Sequence, residues 1–218
     1  MSDDTEQEDD RPLRADARRN RQLILKAAGE VFAEHGLDSS LDQIAAHAGL
    51  GVGTVYRRFP DKDVLIDELF KQRLGRFVAI AEECAAMDDA WTGLTTFIAR
   101  GSLLQGRDSG LRDLLMGPGL NRELLKEPRA RLAPLVGSMV ERAKASGKLR
   151  QDFDVLDVPI AEMMLARIIE IAGPEAPDVW QRHYTMLIDG MRAEGATPLP
   201  VPGLSPEQYT AALQRNLG

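Results

Sequence analysis

The residues between Val52 and Lys62 carry side chains suited to contacting a nucleic acid. At about 100° per residue along a helix, Gly53, Thr54 and Arg57 fall on the face opposite Val55. Arginine can donate two hydrogen bonds to guanine O6 and N7, a contact that is worth about 1–3 kcal/mol of base discrimination. Glycine allows the backbone to approach closely, and threonine can reach a phosphate or a thymine methyl group. This face therefore suits a DNA major groove.

Neighbouring polar residues are typical of phosphate contacts, which position a protein on DNA without specifying the sequence. Lys62 begins a helix, where backbone amides add to its attraction for phosphate. Val52 is predicted to share the apolar face of the helix with Val55 and Phe59 and, as its first residue, is also counted among the DNA-contacting candidates. The predicted DNA-binding residues are Ser40, Val52, Gly53, Thr54, Tyr56, Arg57, Arg58 and Lys62.

Each of these interpretations has a structural alternative. Tyr56 can be an ordinary core aromatic, and Arg57 with Arg58 can be a solvated helix face. An upstream basic cluster is open to two interpretations of equal weight, an arm that touches the adjacent groove or a solvated helix start. This cluster contains Arg14, Arg18, Arg19 and Arg21.

Helical periodicity and capping signals predict the elements that hold these residues. A first helix over 15–35 is followed by Gly36, a typical left-handed stop. Ser40 and Gln43 form a capping-box pattern that opens a second helix, Gly49 lies in the turn that ends it, and a third helix covers 52–59. Further helices are predicted at 62–87, 89–105, 109–115, 121–146 (beginning or kinked at Pro128), 155–172, 177–193 and 206–217. Strand signals are scarce.

Three short helices within about 45 residues, joined by small residues at a sharp turn, describe a helix-turn-helix unit. The stretches IAAHAGL (44–50) and GTVYRRFPDK (53–62) resemble the DNA-binding domain of TetR-family regulators over about residues 17–66. One departure is Gly51, where the family often has serine, although glycine is a tolerated N-cap. The resemblance implies a homodimer whose C-terminal helices pack as a four-helix bundle and enclose an apolar effector pocket.

The charge distribution agrees with a local nucleic-acid contact. The net charge is −7, but residues 11–62 carry nine Lys or Arg against six Asp or Glu, whereas residues 1–10 carry six acidic residues and no basic one. An electrostatic footprint for phosphate has to be local rather than global. The positive segment is therefore compatible with DNA binding, and the acidic residues 1–14 are expected to be a disordered tail.

Residues 63–195 carry no recognisable catalytic chemistry and are predicted to form the larger effector-binding and dimerisation domain. The ligand candidates, for each of which plain core filling is the favoured alternative, are Phe97, Leu104, Met116, Met139, Met163 and Arg167. Arg167 is expected either to pair with Glu162 or Glu170 or to receive an anionic effector group, the ion pair being favoured. The dimer candidates lie on two broad apolar stripes: Ile160, Met164, Ile168, Trp180, Tyr184, Leu187 and Met191.

The sequence as a whole predicts an all-α, cytoplasmic, effector-released repressor of a palindromic operator. No cofactor, metal or membrane contact is expected: the three histidines lack metal-ligand spacing, no apolar run approaches the roughly 20 residues of a membrane span, and Cys84 is the only cysteine. A constitutive DNA-binding protein and an activator remain alternatives, and a small helical enzyme is the remotest. Residues 196–218 are predicted to be a Pro-rich connector with a short helix.

Overall fold

The computed structural model describes the backbone of residues 10–108 and 122–215, and these residues form an all-α protein. The chain divides into two compact units, Met1–Gln72 and Arg73–Gly218, and the division falls inside a helix. Among the described residues, the only β-type pairing is an isolated bridge between Leu149 and Arg192. The predicted helix at 109–115 and the ligand candidate Met116 lie outside the described residues.

The first unit contains three helices and the beginning of a fourth. Its core holds Ile24, Ala28, Ile44, Val55 and Phe59, which come from successive helices. The helices are α1 (Asp10–His35), α2 (Leu41–Ala48), α3 (Val52–Arg58) and α4 (Lys62–Ala85).

Helix α1 begins earlier than the sequence predicted, because residues 10–14, which were expected to belong to the acidic tail, are helical. Pro12 falls in the first turn of the helix, where its missing amide hydrogen leaves no bond unmade. An acidic residue at the start, Asp10, is also favourable beside the positive end of the helix dipole.

The second unit is a bundle of longer helices, in which α5 packs on α6 and α7, and α7 packs on α8. Its core includes Phe77, Leu94, Phe97, Met139 and Leu165. The helices are α5 (Ala90–Arg107), α6 (Arg122–Ala145), α7 (Asp157–Ala172), α8 (Val179–Met191) and α9 (Pro206–Arg215), with a short 3₁₀ turn at Gly173–Glu175.

Of the two alternatives predicted at Pro128, a helix start or a kink, the helix start is wrong. Helix α6 begins at Arg122 and contains both Pro128 and Pro134. A proline removes only its own amide donor and crowds the preceding turn, so the helical turns on either side can still form their own bonds.

Side chains of α6 also fix the turn between α4 and α5. The Arg142 guanidinium donates to the carbonyl oxygens of Ala85, Met87 and Asp88 at 2.8–3.1 Å. Arginine is suited to this task because its planar group presents several donors at once. These bonds satisfy carbonyl groups at and just beyond the C-terminal end of α4 that have no partner inside the helix.

Candidate nucleic-acid interface

Helix α2 is defined by the caps that the sequence predicted. The Gln43 amide donates to Ser40 Oγ at 3.2 Å, and the Ser40 amide donates to Gln43 Oε1 at 2.8 Å, so the capping box is complete. At the other end Gly49 adopts a left-handed backbone with φ of 65°, which costs glycine nothing. The amide of Gly49 donates to carbonyl oxygens of the last turn. These two caps fix the angle at which α3 follows.

Helix α3 has one buried side and one open side. Val55 is fully buried and Phe59, at the C-terminal end, is almost so. Gly53, Arg57 and Arg58 are exposed and Thr54 is partly exposed. Arg57 Nη2 donates to Thr54 Oγ1 at 3.4 Å, so the two polar side chains of the open face lie together. The open face thus offers a guanidinium, a hydroxyl and a bare backbone position.

Val52 corrects one prediction of the sequence analysis. It was expected to share the buried face of α3, but 44% of its side chain is exposed. A helical wheel gives the direction of a side chain and not how far the neighbouring helices reach along the axis. Val52 occupies the first turn of a seven-residue helix. It therefore stands beside Gly53 on the accessible surface of α3.

The remaining predicted contacts surround this face. Ser40 and Tyr56 are exposed, and Lys62 is partly exposed as the first residue of α4. The hydroxyl of Ser40 accepts from the Gln43 amide and donates to Gln43 Oε1 at 3.3 Å, which leaves it one further acceptor position for other contacts. Tyr56, with 45% of its side chain exposed, is not enclosed in the core.

Members of the upstream basic cluster differ in their surroundings. Arg21 forms an ion pair with Glu68 at 2.5 Å, within the first unit. Arg18 and Arg19 are exposed on α1. The ion pair uses one member of the cluster structurally, whereas these two remain accessible.

Comparison with known families decides what kind of protein carries this site. Residues 24–69 match the model of bacterial regulatory proteins of the tetR family. Residues 65–193, more than half of the chain, match the SbtR-like C-terminal domain of transcriptional regulators. The chain belongs to the TetR family. It is a DNA-binding transcriptional regulator and not an enzyme, and among the described residues no group of His, Cys, Asp or Glu side chains could hold a metal ion.

Individual relatives agree with this TetR-family assignment. A TetR regulator from Mycobacterium vanbaalenii is 32% identical, with a TM-score of 0.60 over 83% of this chain and 99% of that one. The regulator FadR from Bacillus subtilis, solved with stearoyl-CoA, is 21% identical, with a TM-score of 0.59 over 78% of this chain and 98% of that one, and shows the shared fold. An HTH-type transcriptional regulator of Staphylococcus aureus (strain USA300) is 39% identical over 67 residues, 30% of this chain. The match spans about a third (36%) of that curated relative's length.

The predicted ligand residues of this TetR-family regulator differ in their surroundings. Phe97 and Met139 are buried, and the Phe97 ring lies 5.5 Å from that of Phe77. Leu104 and Met163 are partly exposed. Arg167 is exposed and forms the favoured ion pair, with Glu170 at 2.6 Å and not with Glu162.

The predicted dimer residues lie on α7 and α8. Met164 is exposed, and Ile160, Ile168, Trp180 and Leu187 are partly exposed. Tyr184 Oη donates to the carbonyl of Thr95 at 3.0 Å, and burial raises the pKa of Tyr184. Met191 is only 3% exposed and belongs to the core of its own chain, so its assignment to a partner surface was wrong.

The sequence analysis did not anticipate a buried polar pair in the second unit. Glu162 on α7 and Gln105 on α5 are joined by a hydrogen bond from Gln105 Nε2 to Glu162 Oε2 at 3.3 Å. Burial raises the pKa of Glu162 well above its usual range, and the bond from Gln105 opposes that shift. The one available signal was an acidic residue inside the otherwise apolar run of α7, but its partner lies 57 residues away.

Proposed function

We propose that this TetR-family regulator is a homodimeric repressor that binds a palindromic operator and is released from it by a small-molecule effector. The observation that carries the proposal is the open face of α3, where Arg57, Thr54 and Gly53 lie opposite the buried Val55. The site of action would be the cytoplasm, since the matched family is one of bacterial regulators. None of the described helices is both long and apolar enough to cross a membrane.

The residues of the open face would divide the work on DNA. Arg57 would contact guanine in the major groove, Thr54 would meet a thymine methyl group or a phosphate, and Val52 would make an apolar contact with a thymine methyl group. Tyr56, Arg58, Ser40 and Lys62 would hold phosphates and so fix the position of α3. The proposed DNA-binding domain comprises residues 15–62, and residues 63–195 form the proposed regulatory domain.

Apolar surface on α7 and α8 supports a homodimer. Met164, Ile171 and Met186 are each more than half exposed, which is unfavourable for large apolar side chains in water. A second copy would cover them, and a twofold dimer presents two identical copies of α3. Two recognition helices about 34–36 Å apart, or somewhat more, would enter successive major grooves and read a palindrome.

Release by an effector needs only modest coupling between effector binding and DNA binding. A ligand that prefers a state with a different spacing of the recognition helices shifts the population away from DNA. Coupling of about 1–3 kcal/mol gives a 5- to 150-fold change in affinity. FadR from Bacillus subtilis holds stearoyl-CoA, and we propose that the second domain of the present chain also holds a small molecule, in a site that includes Phe97, Leu104, Met116, Met139, Met163 and Arg167.

The proposal is tested by incubating the full chain with fragmented DNA from its own source organism at about 150 mM salt, a concentration at which non-specific binding is weak. Sequencing of the retained fragments should recover a few that share a palindrome. Sequencing of the unbound fraction provides the control. Retention of DNA without a common sequence, or of none, would contradict an operator-specific repressor.

A further inference from the structure

A carboxyl group and an amide face each other inside the second unit with two unused acceptors. Glu162 is 3% exposed and Gln105 is fully buried. The pair makes a single hydrogen bond, from Gln105 Nε2 to Glu162 Oε2. Among the described residues, neither Glu162 Oε1 nor Gln105 Oε1 has a partner. Because buried acceptors are almost always hydrogen-bonded, this pair calls for a donor.

The backbone around the pair is shaped to admit the carboxyl group. Gly101 lies one turn before Gln105 on α5, and a Cβ atom at Gly101 would collide with Glu162 Oε1. Any larger residue at this position would displace the carboxyl group. The missing side chain of Gly101 therefore makes room for the orphaned oxygen.

Aromatic rings complete the surroundings. The position that a Cβ of Gly101 would occupy lies 3.1 Å from the ring of Phe77. Phe77 and Phe97 are both buried, with ring centroids 5.5 Å apart and planes inclined by 57°. The orphaned carboxyl and amide oxygens thus favour an occupant that donates hydrogen bonds and carries a positive charge, and the rings offer apolar surroundings for the rest of it.

We propose that Glu162, Gln105 and the Phe77–Phe97 pair recognise a protonated primary amine carried on an apolar body, and that this is the chemical class of the effector. The inference rests on the proposed effector-released function. A primary ammonium group offers three N–H donors, which satisfies both orphaned oxygens. On binding, the ammonium group stabilises the ionised carboxylate, so any proton held by the carboxyl group passes to solvent. A quaternary ammonium carries the same charge but has no donor.

Four probes that share an unbranched six-carbon chain separate charge from hydrogen bonding: hexylamine, hexyltrimethylammonium, 1-hexanol and hexanoate. Each is titrated into the full-length protein by calorimetry and then added to the complex with a recovered operator fragment. Hexylamine should bind saturably, at least tenfold more tightly than the other three, and should release the DNA. Equal or tighter binding of any of the other three probes, or no binding of any probe, overturns the assignment.

Substitutions assign the binding to this pair. Glu162→Gln keeps the shape and an acceptor for Gln105 Nε2 but removes the charge, so hexylamine affinity should fall at least tenfold while operator affinity is retained. Glu141→Gln, the same change at an exposed position of α6, is the matched control and should alter the affinity by less than about twofold. An unchanged affinity in Glu162→Gln overturns the proposal.

A second variant keeps the test decisive if Glu162→Gln does not fold. Gln105→Met preserves the side-chain length and removes the amide oxygen, so it should also weaken hexylamine binding by about tenfold. Unchanged binding in that variant contradicts the site. Failure of the amine site and failure of the proposed function are distinguishable, because the first leaves specific operator binding by the unmodified protein intact and the second does not.

Discussion

Arg57 and Lys62 lie five residues apart on either side of Phe59 and Pro60, yet the proposed complex gives them different tasks. Arg57 is on the open face of α3 with its guanidinium bonded to Thr54, where it can reach base edges. Lys62 is the first residue of α4, where the amides of a helix start also favour a phosphate. Removing Arg57 should therefore change how DNA affinity depends on sequence, and removing Lys62 should change how it depends on salt.

Replacing Arg57 by alanine should remove base discrimination. The unmodified protein should prefer the operator to a duplex with one altered base pair at the contacted guanine. In Arg57→Ala this difference in binding free energy should fall by about 1–3 kcal/mol. Fluorescence anisotropy with both duplexes measures that difference. Arg76→Ala, an exposed arginine of the second unit, is the control and should leave it unchanged. An unaltered preference in Arg57→Ala would show that α3 does not read the sequence through this residue.

Replacing Lys62 by alanine should weaken binding to all DNA about equally. Loss of one phosphate contact should reduce the slope of log affinity against log salt by about one unit. The measurement is a salt titration on the operator and on a random duplex, with unmodified protein run in parallel. A change confined to the operator would contradict a phosphate-contacting role.

Close helix packing in the second unit depends on single glycines. Gly93 on α5 is buried, and a Cβ atom there would lie 2.5 Å from the backbone oxygen of Cys84, at the end of α4. A main-chain oxygen cannot move without shifting the last turn of α4. Gly137 on α6 is also inside a helix, but a Cβ atom there would meet nothing within 4 Å.

The two glycines therefore predict opposite effects of one substitution. Gly93→Ala should lower the free energy of unfolding by about 1–3 kcal/mol through overpacking. Gly137→Ala should raise it by roughly 0.5–1 kcal/mol, because alanine loses less backbone entropy in a helix. Urea denaturation followed by circular dichroism measures both. A neutral or stabilising Gly93→Ala would mean that α4 and α5 do not approach as closely as described.

The elements that could be predicted from the sequence are those specified by local chemistry. The Ser40–Gln43 capping box and the glycine stop at Gly49 involve residues at most a few positions apart, and the capping pattern and the fold class are confirmed by the structure and the family matches. The exposure of Val52 was not predictable, because it depends on where neighbouring helices end. The pairing of Glu162 with Gln105 was not predictable either, because the fold alone brings these residues together.

At the scale of the whole molecule, the proposed dimer accounts for the apolar surface of α7 and α8. Met164 is 54% exposed and lies on the predicted interface. Val201, on the connector before α9, is 68% exposed and lies outside it. Two apolar side chains that are both more than half exposed thus differ in whether a second copy should cover them.

Met164→Glu should shift the protein towards monomer, since it places a charge where a partner would exclude water. Sedimentation velocity over a range of concentrations measures the dimer dissociation constant, and loss of an interface contact of about 1.4 kcal/mol corresponds to a tenfold change. Val201→Glu is the matched control and should remain dimeric. If both variants keep the same dissociation constant, α7 does not form the interface.

The central claim is that α3 of a dimer reads DNA, and hydroxyl-radical footprinting on a recovered operator tests it most directly. The expected result is two symmetric protected half-sites with centres about one helical turn apart or somewhat more, about 34–36 Å for adjacent grooves. At the lowest protein concentration that gives full protection with the unmodified protein, the Arg57→Ala variant should lose protection of both half-sites together. A single protected patch without symmetry, or an unchanged footprint of that variant at this concentration, would contradict a dimeric regulator that binds through α3.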